Sequence, residues 1–265
     1  MDNTNSMMER LDEFLLDVQK PSRYIGGETG SVVKDKSKID IRFAFCFPDT
    51  YEIGMSHLGM KILYGLKNAV PNYWCERVFM PLPDMEEQMR ARDIPLYALE
   101  SLDPIKDFDF IGFTLQYEMS YTNILNMLDL GRIPFYAKDR NEEYPIICAG
   151  GPCAYNPEPL ADFIDFFMLG EGEEIMMEVM DVYRRVKQNG GKKDDFLREI
   201  VDIEGVYVPK FYDVEYHEDG TIKSFTKNFD TAPDKIKKRI IKDFDSSFAP
   251  DNIIVPFMEI VHDRI

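Results

Sequence analysis

The sequence predicts an α/β protein: a doubly wound, mainly parallel sheet with a small antiparallel β appendage. Three observations predict it. Apolar runs at residues 41–47, 109–115, 144–149 and 163–169 are nearly continuous, as in strands buried on both faces. Amphipathic stretches of helical period separate them, which is the alternation of βαβ units. Beyond Glu204 the pattern changes to apolar–polar alternation around His217-Glu218-Asp219-Gly220, a turn whose Asp-Gly pair suits a hairpin.

The elements follow in order. Residues 1–38 form an N-terminal arm. A helix over 7–18 places Met8, Leu11, Phe14 and Leu15 on one face and stops at Pro21. A loop of cationic and aromatic groups, 20–28, and a polar linker, 34–38, complete the arm. The core domain spans 39–204. Its first strand, 41–47, ends at Pro48-Asp49. A glycine-bearing loop, 51–55, leads to Ser56, a residue type that caps helices, and a helix carries Leu58, Ile62, Leu63 and Leu66. A strand at 73–80, a helix from Pro83 to Arg92 and a short strand at 95–99 come next. The buried strand 109–115 precedes a helix at 121–130 with Ile124, Met127 and Leu128 inward. Strands 144–149 and 163–169, the long amphipathic helix 173–188 and a helix at 193–201 close the domain. Residues 205–230 form the hairpin appendage. Residues 231–265 read as a solvated basic connector followed by an apolar, strand-like run from Ile253 that looks cut off.

Composition narrows the function. The 265 residues are 45% hydrophobic, enough for one core with small appendages. A net charge of −17 opposes a nucleic-acid partner, which needs a basic face. No apolar run reaches the roughly 18 residues of a membrane helix. The acidic N-terminus lacks the apolar centre of a secretory signal, so a cytoplasmic location is expected. Cys46, Cys75, Cys148 and Cys153 form no CxxC pair and read as reduced thiols, the first three buried. No His/Cys spacing suits zinc, and no metal site is expected.

Two strand ends carry the candidate site. One strand finishes in Gly150-Gly151, the other in Gly170-Glu171-Gly172-Glu173 at the start of a helix. Glycines there let a flat ligand approach the backbone, and both ends belong to the carboxyl edge of the sheet. Gly54, Met55, Ser56, His57 and Gly59 stand at the first strand-to-helix junction on the same edge. Thr114, Leu115 and Gln116 end the buried strand, with Thr114 and Gln116 on one side of the pleat. His57 either contacts a cofactor or caps the helix. His217 belongs to the hairpin turn, and His262 to the terminal run. Gly170-x-Gly172 lacks the third glycine of the dinucleotide fingerprint, and Glu171 and Glu173 would repel a pyrophosphate; a ligand that donates hydrogen bonds fits better. Asp107 and Asp109 precede their strand and are expected to be solvated at the far rim.

Several stretches read together carry a resemblance: Lys20-Pro21-x-Arg23-Tyr24-x-Gly26, Phe47-Pro48-Asp49-x-Tyr51-Glu52-x-Gly54-Met55-Ser56-His57-Leu58-Gly59, Gly112-Phe113-x-Leu115-Gln116-Tyr117-Glu118, Gly150-Gly151-Pro152, Asn156-Pro157-Glu158-Pro159 and Gly170-Glu171-Gly172-Glu173. The chain resembles the N-terminal part of cobalamin-binding-domain radical S-adenosylmethionine proteins. That resemblance implies a flavodoxin-like sheet with cobalamin on its carboxyl edge, held by the candidate residues above. It implies that a C-terminal radical barrel follows, bearing a four-iron cluster and S-adenosylmethionine, and that residues 231–265 include its truncated start. This fragment alone is then not expected to be catalytic, and the barrel is its partner. The best-understood cobalamin domains carry DxHxxG with a cobalt-ligating histidine; here the loop reads Asp49-Thr50-Tyr51-Glu52-Ile53-Gly54, with tyrosine at that place. The alternative is a docking or substrate-recognition module for the barrel that holds no cofactor. A stand-alone enzyme on a flavin- or nucleotide-type sheet lacks any nucleophile–base motif.

Overall fold

The structure is a computed structural model and describes residues 6–243, 245, 247–251 and 253–255. His262 and the end of the apolar terminal run lie outside the described residues.

Six strands form one sheet: β1 (Ile41–Phe47), β2 (Tyr73–Phe79), β3 (Phe110–Thr114), β4 (Ile146–Gly150), β5 (Phe166–Met168) and β6 (Val206–Tyr207), in the order β2-β1-β3-β4-β5-β6. The first five are parallel; β6 runs antiparallel to β5, with Phe167 opposite Tyr207. Nearly every residue of β1 to β5 is buried, as continuous apolar runs require. The connection from β1 to β2 runs opposite to those that build β3 and β4, so right-handed crossovers place their helices on opposite faces. On one face, α3 (Leu58–Ala69) packs against α6 (Gly172–Gln188). Elsewhere α4 (Pro83–Ala91) and α5 (Tyr121–Leu130) are joined by Arg90, which reaches Asp129 at 2.7 Å and Asn126 at 2.8 Å. Helix α7 (Lys193–Ile200) lies on α6. The separate hairpin pairs β7 (Tyr212–Tyr216) with β8 (Ile222–Lys227).

The arm departs from expectation. Its helix, α1 (Met7–Asp12), starts in a Ser6–Glu9 capping box but ends early, because Phe14 turns out of helical conformation and buries its ring. The arm then runs along the β2 edge. There the Trp74 indole donates to the Val32 carbonyl at 2.8 Å, and Arg77, fully buried, forks onto Glu28 at 2.7 and 2.8 Å while its Nε meets Glu100 at 2.6 Å.

Other expectations also change. Residues 51–55 form a helix, α2 (Tyr51–Ser56), rather than a loop; Gly54 is buried where a Cβ would strike the Phe79 ring. Residues 95–99 are no sheet strand: the chain folds back through Leu102 at φ +61°, leaving one bridge between Tyr97 and Pro104. Val206 and Tyr207, grouped with the hairpin by pattern, instead extend the main sheet. Asp109 is not left to solvent: it accepts from the Arg42 backbone N–H at 2.8 Å and the Tyr183 hydroxyl at 3.0 Å, and pairs with Lys187 at 2.5 Å. Nor is the basic stretch wholly solvated. Arg239 bonds the carbonyl of Leu169 and the N–H of Glu171 through its backbone, and its guanidinium meets Glu174 and Glu178.

Candidate functional site

A groove of about 260 Å³ opens at the carboxyl edge, between the first turns of α3 and α6. It begins at β1 and β3, where the strand order reverses, the position at which open α/β sheets bind ligands. Phe43 and Phe45, two residues apart on β1 and so on one face, line it with Phe113, Leu63, Met168 and Met176. Fully buried Lys67 lies near this floor, its ammonium 4.4 Å from the Phe43 ring centroid and 4.8 Å from that of Phe45; burial pushes its pKa down. Cys148 is buried, and burial raises its thiol pKa to about 12, so it stays protonated.

The structure brings most candidate residues to this groove: His57, Gly59, Thr114, Gln116, Gly150, Gly151, Gly170, Glu171, Gly172 and Glu173 all line it. Gly54, Met55, Ser56 and Leu115 do not. Gly54 faces Phe79, and Met55 places its sulfur 3.2 Å from the Arg77 guanidinium. Ser56 is not the cap of α3; its hydroxyl donates to the Glu52 carbonyl at 2.6 Å inside α2. Leu115 is fully buried, its N–H donating to the Gly150 carbonyl at 2.6 Å.

The glycines divide by what they approach. Gly170, at φ +104°, presses on the Arg239 backbone, and Gly151, at φ +110°, on that of Leu115; both serve the chain's own packing. Gly150 and Gly172 leave room. A Cβ at Gly172 would touch only the Leu63 methyls, at 3.4 and 3.5 Å.

His57 is the N-cap of α3. Its Nδ1 accepts from the Met60 backbone N–H at 3.1 Å, so the neutral ring carries its proton on Nε2 and can offer the groove a donor. A ligating Nε2 would need the opposite tautomer and the loss of this cap. Gln116 donates to the Thr114 hydroxyl at 2.6 Å. No side chain caps α6, so its first-turn N–H groups stand at the groove without a side-chain acceptor. Glu171 accepts from the Ile241 N–H, while the Glu173 side chain has no hydrogen bond or ion pair among the described residues. Thus an apolar floor is rimmed by hydrogen-bond donors and, among the described residues, by the unpaired carboxylate of Glu173. Among the described residues no cluster of three or more His, Cys, Asp or Glu could hold a metal ion, and no helix is long and apolar enough to cross a membrane.

Sequence reasoning missed the floor residues Phe43, Phe45, Leu63, Phe113, Met168 and Met176. Two of them were readable from periodicity: Leu63 follows Gly59 by four residues on one helix face, and Met176 follows Gly172 likewise.

Residues 59–209 match the family described as radical SAM proteins, N-terminal, and the chain belongs to it. An uncharacterised protein of Methanocaldococcus jannaschii is 32% identical over 143 residues, 52% of this chain. The match covers 26% of that relative, so the chain corresponds to about a quarter of it. No solved structure matches the chain.

Proposed function

We propose that the chain is the corrinoid-holding module of a radical SAM protein, the cofactor lying along the carboxyl-edge groove. The strand order 2-1-3-4-5 is that of flavodoxin-like sheets, which carry their ligand at this switch point. The observation that carries the reading is the gathering of Gly150, Gly172, Thr114, Gln116 and His57 around one apolar floor. At about 260 Å³ the groove would cover part of such a ligand and leave the rest exposed. The backbone near Gly150 and Gly172 would let the ring approach. The His57 Nε2–H and the α6 amides would bond its acceptor groups, and Glu173 its amide donors. His57 would hold the ligand as a donor and not as an axial base, since its Nδ1 is committed to Met60. When bound, a corrinoid supplies group-transfer chemistry at cobalt; this chain's residues bind, orient and shield it.

The test is reconstitution with hydroxocobalamin followed by desalting. The expected result is visible absorbance that co-elutes with the protein; a colourless protein peak would remove the reading.

A second reading, a docking module without cofactor, draws on the exposed apolar residues of the same edge: Ile53, Leu58, Tyr117, Met119 and Tyr155, which follow β1, β3 and β4, and Ile240 beside β5. Such groups fit an interface with a radical barrel. Co-purification with that barrel, with no retained cobalamin, favours this reading over the first.

A further inference from the structure

A second cavity, of about 620 Å³, lies at the amino-terminal edge of the sheet, opposite the groove. It sits between α7, the β7–β8 hairpin and the turns that lead into β4 and β5, and its size is that of a small-molecule site.

Its floor holds three buried charges. The side chains of Arg140, Asp165 and Lys193 are 0%, 3% and 10% exposed. Asp165 meets Arg140 at 3.3 Å and Lys193 at 2.8 Å, and also accepts from the Ile147 N–H at 2.8 Å. Two buried cations therefore share one carboxylate, and the floor carries a net positive charge. Among the described residues Arg140 Nε finds no acceptor, while its other nitrogens donate to the carbonyls of Pro134, Phe135 and Phe163. Burial pushes the pKa of both cations down against the pull of Asp165. A buried donor without an acceptor is rare in native structures and points to a missing partner.

Its wall is aromatic. Tyr207 lies tilted against Tyr212 at 5.2 Å, and Tyr212 stacks on Phe225 at 5.0 Å. The hydroxyls of Tyr207 and Tyr212 are already spent on Glu158 and the Pro233 carbonyl. What they offer the cavity is ring surface, extended at the mouth by the exposed rings of Tyr136 and Tyr216. Most carboxylates of the lining are engaged: Glu142 accepts the first N–H of α7, Asp194 pairs with Lys210 and Glu158 is held by Tyr207. Asp162 lies at the exposed rim, where solvent screens it.

We infer that this cavity binds a small aromatic anion, a planar ring bearing a phosphate or carboxylate, with the ring on the tyrosine faces and the anionic group over the Arg140–Lys193 floor. The test is an NMR chemical-shift titration of the whole chain with AMP, adenosine, inorganic phosphate and 4-hydroxybenzoate, repeated on Lys193→Met and Tyr216→Ala. The expected result is that AMP or 4-hydroxybenzoate binds about tenfold or more tighter than adenosine or phosphate, that Lys193→Met weakens it about tenfold, and that Tyr216→Ala weakens it several-fold. The better of the two ring anions identifies the anionic group. No binding of either at about 5 mM, equal binding of adenosine, or unchanged affinity in Lys193→Met overturns the inference. Should Lys193→Met not fold, Tyr216 is exposed and its alanine variant decides: unchanged binding there is equally fatal. Cobalamin takes no part in the assay, so this result and that of the reconstitution stand independently.

Discussion

Two glycines two residues apart illustrate how far one side chain can separate folding from binding. Gly170 sits at φ +104° against the Arg239 backbone, so Gly170→Ala combines a strained conformation with a backbone clash and should cost about 2 kcal/mol or more in urea unfolding. Gly172 has ordinary φ and a Cβ there would meet only the flexible Leu63 methyls, so Gly172→Leu should leave the unfolding midpoint almost unchanged yet prevent cobalamin retention. Full retention in that variant would show that the ligand does not use the groove. Glu76 gives a prediction in pH. It is fully buried, and burial raises its pKa from 4.5 to about 7 despite the opposing Arg42, 2.5 Å away. The folded state thus holds this proton more tightly than the unfolded chain. The stabilisation is complete below pH 4.5 and is lost as pH rises towards 7. Glu76→Gln, which leaves Arg42 paired with Asp103 at 2.8 Å, should flatten the fall in stability over that window. An unaltered slope would assign the pH dependence elsewhere.

At the scale of elements, the junction after β1 shows what pattern can and cannot reveal. The glycine in 51–55 and the serine at 56 suggested a loop and a cap; the structure forms α2 there and gives the cap to His57. His57→Ala should cost about 1 kcal/mol of stability, and His57→Asn, whose side chain also accepts at a cap, should recover most of it. If both variants lose equally, the ring matters through its contact with Phe47, 5.6 Å between centroids, and not as a cap. The helices α3, α5, α6 and α7 were legible because their apolar spacing keeps the helical period, and the strands β1 to β4 because they are short, nearly continuous apolar runs. The inward turn of the arm was not, because its anchor, Arg77, stands 49 residues from Glu28 and nothing in either local sequence names the other.

At the scale of the whole molecule, segment 232–242 binds the tip of β5 to the rest of the fold. Arg239 accepts and donates backbone hydrogen bonds there, and Ala232 and Ile254 are buried. Truncation after Thr231 should therefore lower stability by about 2–4 kcal/mol while far-UV circular dichroism still reports the sheet and helices. An unchanged unfolding midpoint would show that the segment merely lies on the surface. The sequence by itself determined the class of this protein: parallel strands buried on both faces, amphipathic helices between them, and glycines at the strand ends of one edge. Those are local properties, written in spacing and residue type. Only the tertiary structure decided which glycines face open space and which face backbone, that His57 spends one nitrogen on its helix, and that Arg140, Asp165 and Lys193 meet beneath a tyrosine wall. These are matters of long-range approach, set by how distant segments pack, and no local pattern encodes them.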